Sequence, residues 1–190
     1  MDNVNVSGNL TDEEALGLFA VLGSMLVVLI IIGLIFYIVD AIARVKYLRI
    51  RGYKASWMAF IPILNIYASV DATYGNVEKI NLYGVSLPAI VVKLYPLIFS
   101  VITAIVTRIP AISSIGTTIV YICEVIIGIM ILKDMLERIG TDISIAFSVL
   151  ANVIPIIGSI KLLTSCKGLK DCQFDYTTDL RVLQSQSGIN

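Results

Sequence analysis

Gly52-Tyr53-Lys54-Ala55-Ser56-Trp57-Met58-Ala59-Phe60-Ile61-Pro62-Ile63-Leu64-Asn65-Ile66-Tyr67 joins a basic stretch to an uncharged run with a proline at its centre. The uncharged run, residues 55–70, has only sixteen residues, and Pro62 interrupts the helical hydrogen-bond ladder. That length is marginal against a hydrocarbon layer of roughly 30 Å. Upstream, residues 40–54 carry Arg44, Lys46, Arg49, Arg51 and Lys54 against a single acid, Asp40. Asp40 and Arg44 stand four apart, the spacing of a helical ion pair, and Gly52 is a stop signal. The five basic residues are candidates for contact with anionic lipid headgroups, or they set topology alone. Before them, residues 15–39 are free of charge and long enough to span with tilt. Residues 1–14 form an acidic tail in which Thr11 and Glu14 have capping-box spacing. Acid before the span and base after it put the N-terminus outside and the basic loop in the cytoplasm.

Downstream, residues 71–84 read as a polar loop. Residues 85–107 read as a span interrupted by Pro88, Lys93 and Pro96, and residues 111–132 as a span holding Glu124. Residues 143–160 form a further short uncharged segment around Asn152 and Pro155. The expected fold is therefore all-α: a polytopic transmembrane helical bundle of five hydrophobic segments, 15–39, 55–70, 85–107, 111–132 and 143–160. The membrane domain covers 15–173. Residues 174–190 make a polar cytoplasmic tail without helical periodicity, compatible with disorder. A weak internal duplication, or chance likeness between apolar stretches, relates the halves: a long span, a charged stretch ending in Gly52 or Gly140, then Ile-Pro-Ile with an asparagine nearby. If all five segments cross, ten basic residues lie inside against three outside. If both proline-centred segments re-enter, twelve lie inside against one. Five crossings are the expectation, because re-entrant segments are uncommon; that arrangement makes the two halves inverted.

Lys93 and Glu124 are the ionisable groups set deepest in the spans, where such residues are costly and functional by default. About a turn at Ile109, Lys93 with Glu124, Ser100 with Thr117 and Thr103 with Ser114 share one index sum. The expectation is an intramembrane ion pair, Lys93 with Glu124, above a polar seam of Ser100, Thr103, Ser114 and Thr117. Such a seam serves helix association or an ion path. Histidine is absent, and no nucleophile–base pair or phosphate loop stands out. Cys166 and Cys172 alone do not complete a zinc site, and Cys123 reads as a packing residue. No catalytic residue, metal or cofactor is expected. The chain has 190 residues, 57% of them hydrophobic, mean hydropathy +0.90 and zero net charge. That excess over the roughly 45–50% of soluble domains points to lipid as the solvent, with no nucleic-acid partner.

The stretch from Gly52 to Tyr67 resembles the glycine–tryptophan–isoleucine–proline–asparagine signature of a bacterial family of small membrane proteins of unknown function, sometimes loosely labelled signal-peptidase-like. Leu87-Pro88 with Tyr95-Pro96-Leu97-Ile98 is similar to that family's later proline-rich span, and Ala68 to Gly75 to its connecting segment. The likeness covers residues 40–100, and the chain departs from the family by lacking one hydrophobic segment between these motifs. It implies a multi-pass protein of the bacterial cytoplasmic membrane and no known activity. The function expected is that of a non-enzymatic scaffold or accessory subunit, partnered by the bilayer and by another membrane protein or a second copy. The alternative is a small transporter or channel whose site lies at the proline-broken segments, with Trp57, Pro62, Asn65, Asn152 and Pro155 as the residues concerned.

Overall fold

The computed structural model describes residues 12–75, 77–82, 84–110 and 113–174, with backbone alone for 12–15. The acidic tail, the capping box and the tail beyond 174 lie outside the described residues. Two units make up the chain, residues to Tyr37 and residues from Ile38 onward. The first is helix throughout its described length, with every side chain from Leu16 to Phe36 exposed.

The fold is mostly helical. Helix α1 runs Asp12–Ile50, and a 3-10 turn at Ser56–Phe60 leads to α2, Leu64–Tyr74. Strands β1 (Lys79–Leu82) and β2 (Val85–Pro88) then pair antiparallel, Lys79 opposite Pro88 and Leu82 opposite Val85. Helices α3 (Ala89–Lys93), α4 (Tyr95–Val106), α5 (Ser113–Glu137), α6 (Ile145–Val153) and α7 (Pro155–Ser165) follow. Among the described residues two helices, α1 and α5, are long and apolar enough to cross a membrane, against five segments expected. The β-hairpin takes Val85–Pro88 out of the third segment. Asn81 helps close it by accepting the Gly84 N–H at 3.0 Å.

Prolines divide the remaining segments. A residue before proline is pushed to extended backbone; Ile61 (φ −111°, ψ 121°) and Ile154 (φ −120°, ψ 85°) both adopt it. Ile63 then takes φ 68°, a strained value for a β-branched residue, and α2 starts. Helix α7 starts on Pro155 itself, where the missing N–H costs nothing. Each segment thus turns back on itself. On α7, Gly158 lies against Ala151 of α6, so close that an added Cβ would stand 3.2 Å from the Ala151 carbonyl. At eleven residues, α2 and α7 are each about 16 Å long, roughly half a bilayer core.

The two glycines singled out in the sequence close α1 and α5 in the same way. Gly52 (φ 72°) donates to the Arg49 carbonyl and Tyr53 to that of Leu48. Gly140 (φ 80°) donates to Glu137 and Thr141 to Leu136. Both are Schellman motifs, which satisfy the last carbonyls of a helix through a left-handed residue. The burial pattern ahead of them also matches: Ala43, Tyr47, Leu48 and Arg51 are buried in one helix, Ile131, Met135, Leu136 and Ile139 in the other. The unequal spacing from glycine to proline reflects what lies between, a five-residue turn in the first half and the nine-residue α6 in the second.

A Cβ at Gly140 would meet no atom within 4 Å, so Gly140→Ala isolates the backbone effect. It should destabilise the protein by about 1–2 kcal/mol in thermal unfolding in detergent. Gly33→Ala, also in open space but inside α1, should be neutral or stabilising.

Candidate functional site

Helix α2 is the hub of the second unit, and its polar residues fall on separate faces at helical spacing. Asn65, Ser69 and Thr73 form a stripe turned to α1. Arg44 Nη1 donates to Ser69 Oγ at 3.2 Å, and Tyr47 Oη shares a 2.7 Å hydrogen bond with Thr73 Oγ1. Arg51, fully buried, donates through Nε to the Ala72 carbonyl at 2.9 Å. On another face, Asp71 pairs with Lys93 of α3 at 2.5 Å, and the ammonium lies 5.8 Å from the centre of the Tyr67 ring. At the C-terminal end, the Tyr74 hydroxyl donates to Asp134 of α5. Burial, and then the Asp134 charge, hold the Tyr74 phenol above its ordinary range. Burial likewise pushes the Cys166 thiol, just after α7, up to about 11.

A second cluster sits where both proline-broken segments converge. The predicted Asp40–Arg44 pair forms at 2.7 Å, and Asp40 also accepts from Ser159 of α7 at 2.7 Å. Around it lies a cavity of about 100 Å³ lined by Arg44, Ser69, Tyr95, Asn152, Pro155 and Ser159, among others. Asn152 donates to the Val125 carbonyl of α5 at 3.2 Å. Its amide oxygen rests against Gly128, where a Cβ would be 2.8 Å away, so the glycine makes room for the asparagine. Six helices from both halves thus meet round one charged pair and several hydroxyl and amide groups.

The sequence-derived pair of Lys93 with Glu124 does not form; Lys93 is 7% exposed and pairs with Asp71. That pairing requires one continuous helix from 93 to 107. The chain instead breaks at Leu94 ahead of Pro96, and Lys93 ends a separate short helix that packs on α2. The seam itself is assembled in part. Ser100, Thr103 and Thr117 share a cleft with Tyr121 and Glu124, whereas Ser114 is exposed outside it. The hydroxyls of Ser100 and Thr117 bond carbonyls of their own helices rather than each other.

Of the proline-segment residues, Asn152 and Pro155 line the cavity. Trp57 and Pro62 are exposed, and Asn65 is buried with Oδ1 lacking a hydrogen-bond partner. The headgroup set is corrected at two positions: Arg44 and Arg51 face α2, because 40, 44, 47 and 51 share the inward stripe of α1. Arg49 and Lys54 are exposed, and Lys46 is half-buried. Cys123 is exposed rather than packed. The sequence reading missed Asp71 by ending the second segment at 70 and assigning 71–84 to a loop. The signal was there: polar residues at 65, 69 and 73, and Tyr67 with Asp71, keep helical spacing past that boundary.

No protein-family model matches the chain, and no curated protein or solved structure matches it either.

A buried pair that loses one member strands the other charge, at a cost of about 3–5 kcal/mol. Lys93→Met and Asp71→Leu should each lower the melting temperature and the folded yield, and the double variant should lose much less than both losses combined. Lys93→Met with Glu124→Gln should be additive. Coupling of Lys93 to Glu124, with none to Asp71, would contradict the observed pairing.

Proposed function

We propose that the chain is a multi-pass protein of the bacterial cytoplasmic membrane acting as a non-enzymatic scaffold or accessory subunit. The observation that carries this reading is a long exposed apolar surface beside charged side chains that are turned inward. Uncharged residues from Leu16 to Phe36, apolar except for Ser24, are exposed without interruption, and α5 is also largely uncovered. Arginine, lysine and aspartate side chains are meanwhile turned inward and paired, Asp71 with Lys93 and Asp40 with Arg44. Water does not favour an exposed apolar helix of this length, and lipid does. Charges consumed by internal pairing hold helices together, which is architecture rather than chemistry on a substrate. Membership of the small-membrane-protein family whose glycine–tryptophan–isoleucine–proline–asparagine signature the first half resembles belongs to the same proposal.

The arrangement favoured is three crossings with two re-entrant segments. The C-terminal ends of α1 and α5 both reach the C-terminal end of α2, through Tyr47 with Thr73, Arg51 with Ala72, and Asp134 with Tyr74. Beyond α7, Cys172 and Phe174 donate to the Arg49 and Ile50 carbonyls. Each proline-centred segment therefore begins and ends on the side where α1 and α5 end. Five crossings would set those ends on opposite sides. In the three-crossing arrangement the N-terminus is outside, the tail inside, and the two halves run parallel rather than inverted.

The cavity between the broken segments favours a second reading, a small transporter with its site at Arg44, Ser69, Asn152 and Ser159. Purified protein in proteoliposomes separates the two. The scaffold reading expects no ion or solute flux above that of empty vesicles, and flux abolished by Ser159→Leu would replace it. Topology is tested in a Cys123→Ser, Cys172→Ser background with a membrane-impermeant maleimide. Arg108→Cys should label in intact cells, and Lys79→Cys and Asp142→Cys only after permeabilisation. The reverse pattern would restore five crossings.

A further inference from the structure

Glu124 stands apart from the other charges of the membrane segments. It is the twelfth of the 25 residues of α5, about 16 Å of helix from Ser113. That is close to the middle of a roughly 30 Å hydrocarbon layer. Among the described residues it has no ion-pair or hydrogen-bond partner, although it stands within electrostatic range of Tyr95. Lys93 is paired with Asp71 and Arg44 with Asp40.

Glu124 lines a cleft of about 580 Å³ on the α4–α5 hairpin, with Ser100, Thr103, Thr117 and Tyr121. The side of the hairpin that carries it is uncovered: Tyr121 is 65% exposed, and Ser100 is exposed. Ser100 Oγ gives its proton to the Pro96 carbonyl at 2.7 Å, and Thr117 Oγ1 to that of Ser113 at 2.7 Å. What those hydroxyls turn to the cleft is lone pairs. Together with the carboxylate they make a surface rich in acceptors, with the Tyr121 hydroxyl as a remaining donor. An ionised carboxylate at this depth is costly, and an opposite charge on a neighbouring helix offsets that cost. The cleft is many times the roughly 30 Å³ share of one water, so a bare ion would leave most of it unfilled.

We propose that this cleft docks a membrane-spanning helix of a partner protein carrying a lysine or arginine at mid-depth. The cation meets Glu124, and small hydroxylated residues of α4 and α5 let the backbones approach. A second copy of this chain fits less well, because it would bring another Glu124 carboxylate to the same contact. The inference rests on the accessory-subunit reading and adds to it the chemistry of the partner.

The test uses the full chain in lipid nanodiscs, labelled with a donor fluorophore at Cys172 in a Cys123→Ser background. Leucine-rich spanning peptides with lysine, leucine or glutamate at the centre carry the acceptor. The lysine peptide should bind about tenfold more tightly than the leucine peptide, and the glutamate peptide no better than leucine. Glu124→Gln should reduce the lysine peptide to the leucine level, and Ser100→Leu with Thr117→Leu, which fills the cleft, should do the same. Equal binding of lysine and leucine peptides to the unaltered protein, which needs no variant to fold, would overturn the proposal. So would a lysine preference that survives Glu124→Gln. Glu124-dependent energy transfer between labelled copies, with no lysine preference, would overturn it in favour of self-association. Glu124-dependent cation uptake without peptide binding would overturn it in favour of an ion site and would also sink the accessory-subunit reading. The peptide arms alone leave that reading standing if they fail.

Discussion

Seven of the eleven residues of α2 are buried, and Asn65, Ser69 and Thr73 are among them. A helix that carries polar groups into a packed interior must find partners for them there, since each one left unmet costs about as much as a lost hydrogen bond or more. Neighbours on three sides meet that constraint for all but the amide oxygen of Asn65. Helix α1 supplies Arg44, Tyr47 and Arg51, α3 supplies Lys93, and α5 supplies Asp134. Because the partners sit at fixed places on their helices, pairing also sets register. Moving α1 by one residue along α2 would unmake three of these contacts at once.

The same constraint accounts for the charged and hydroxyl side chains that are turned inward among an otherwise hydrophobic core. Helix packing in lipid gains little from apolar burial and relies on close approach and polar contacts between helices. The α2 hub, the Asp40–Arg44–Ser159 cluster and the fit of Asn152 against Gly128 are contacts of that kind. Each joins elements far apart in sequence. Glu124 departs from this pattern, which is why the surface around it is the place to look for a partner.

Much of this was legible in the sequence. The long uncharged run, the Asp40–Arg44 spacing, the two closing glycines and the proline breaks are local signals, and local chemistry fixes them: length, i,i+4 geometry, left-handed backbone and a missing N–H. The pairing of Lys93 was not legible, because it depends on where a kink falls. Once Leu94 breaks the helix, a face argument carried from Ser100 back to Lys93 points to the wrong neighbour. The β-hairpin was missed because Val85-Ser86-Leu87-Pro88 is uncharged and runs without a break into the apolar span that follows. The roles of Arg44 and Arg51 were hidden by an assumption that basic residues beside a span face the headgroups. The inward stripe 40, 44, 47, 51 was readable, but only the identity of α2 as its partner shows that it is a packing face. The number of crossings could not follow from hydropathy, because a segment of sixteen to eighteen residues suits a crossing or a return equally well.

Helix α2 is a buried helix held by its neighbours, and the rest of the second unit depends on it. Hydrogen–deuterium exchange of the full chain in nanodiscs tests this most directly. Amides of residues 66–74 should exchange among the slowest of those outside α1 and α5, and Arg51→Met should speed them selectively while leaving α4 unchanged. Exchange in 66–74 as fast as in the exposed stretch 107–110, or no response of α2 to Arg51→Met, would contradict it.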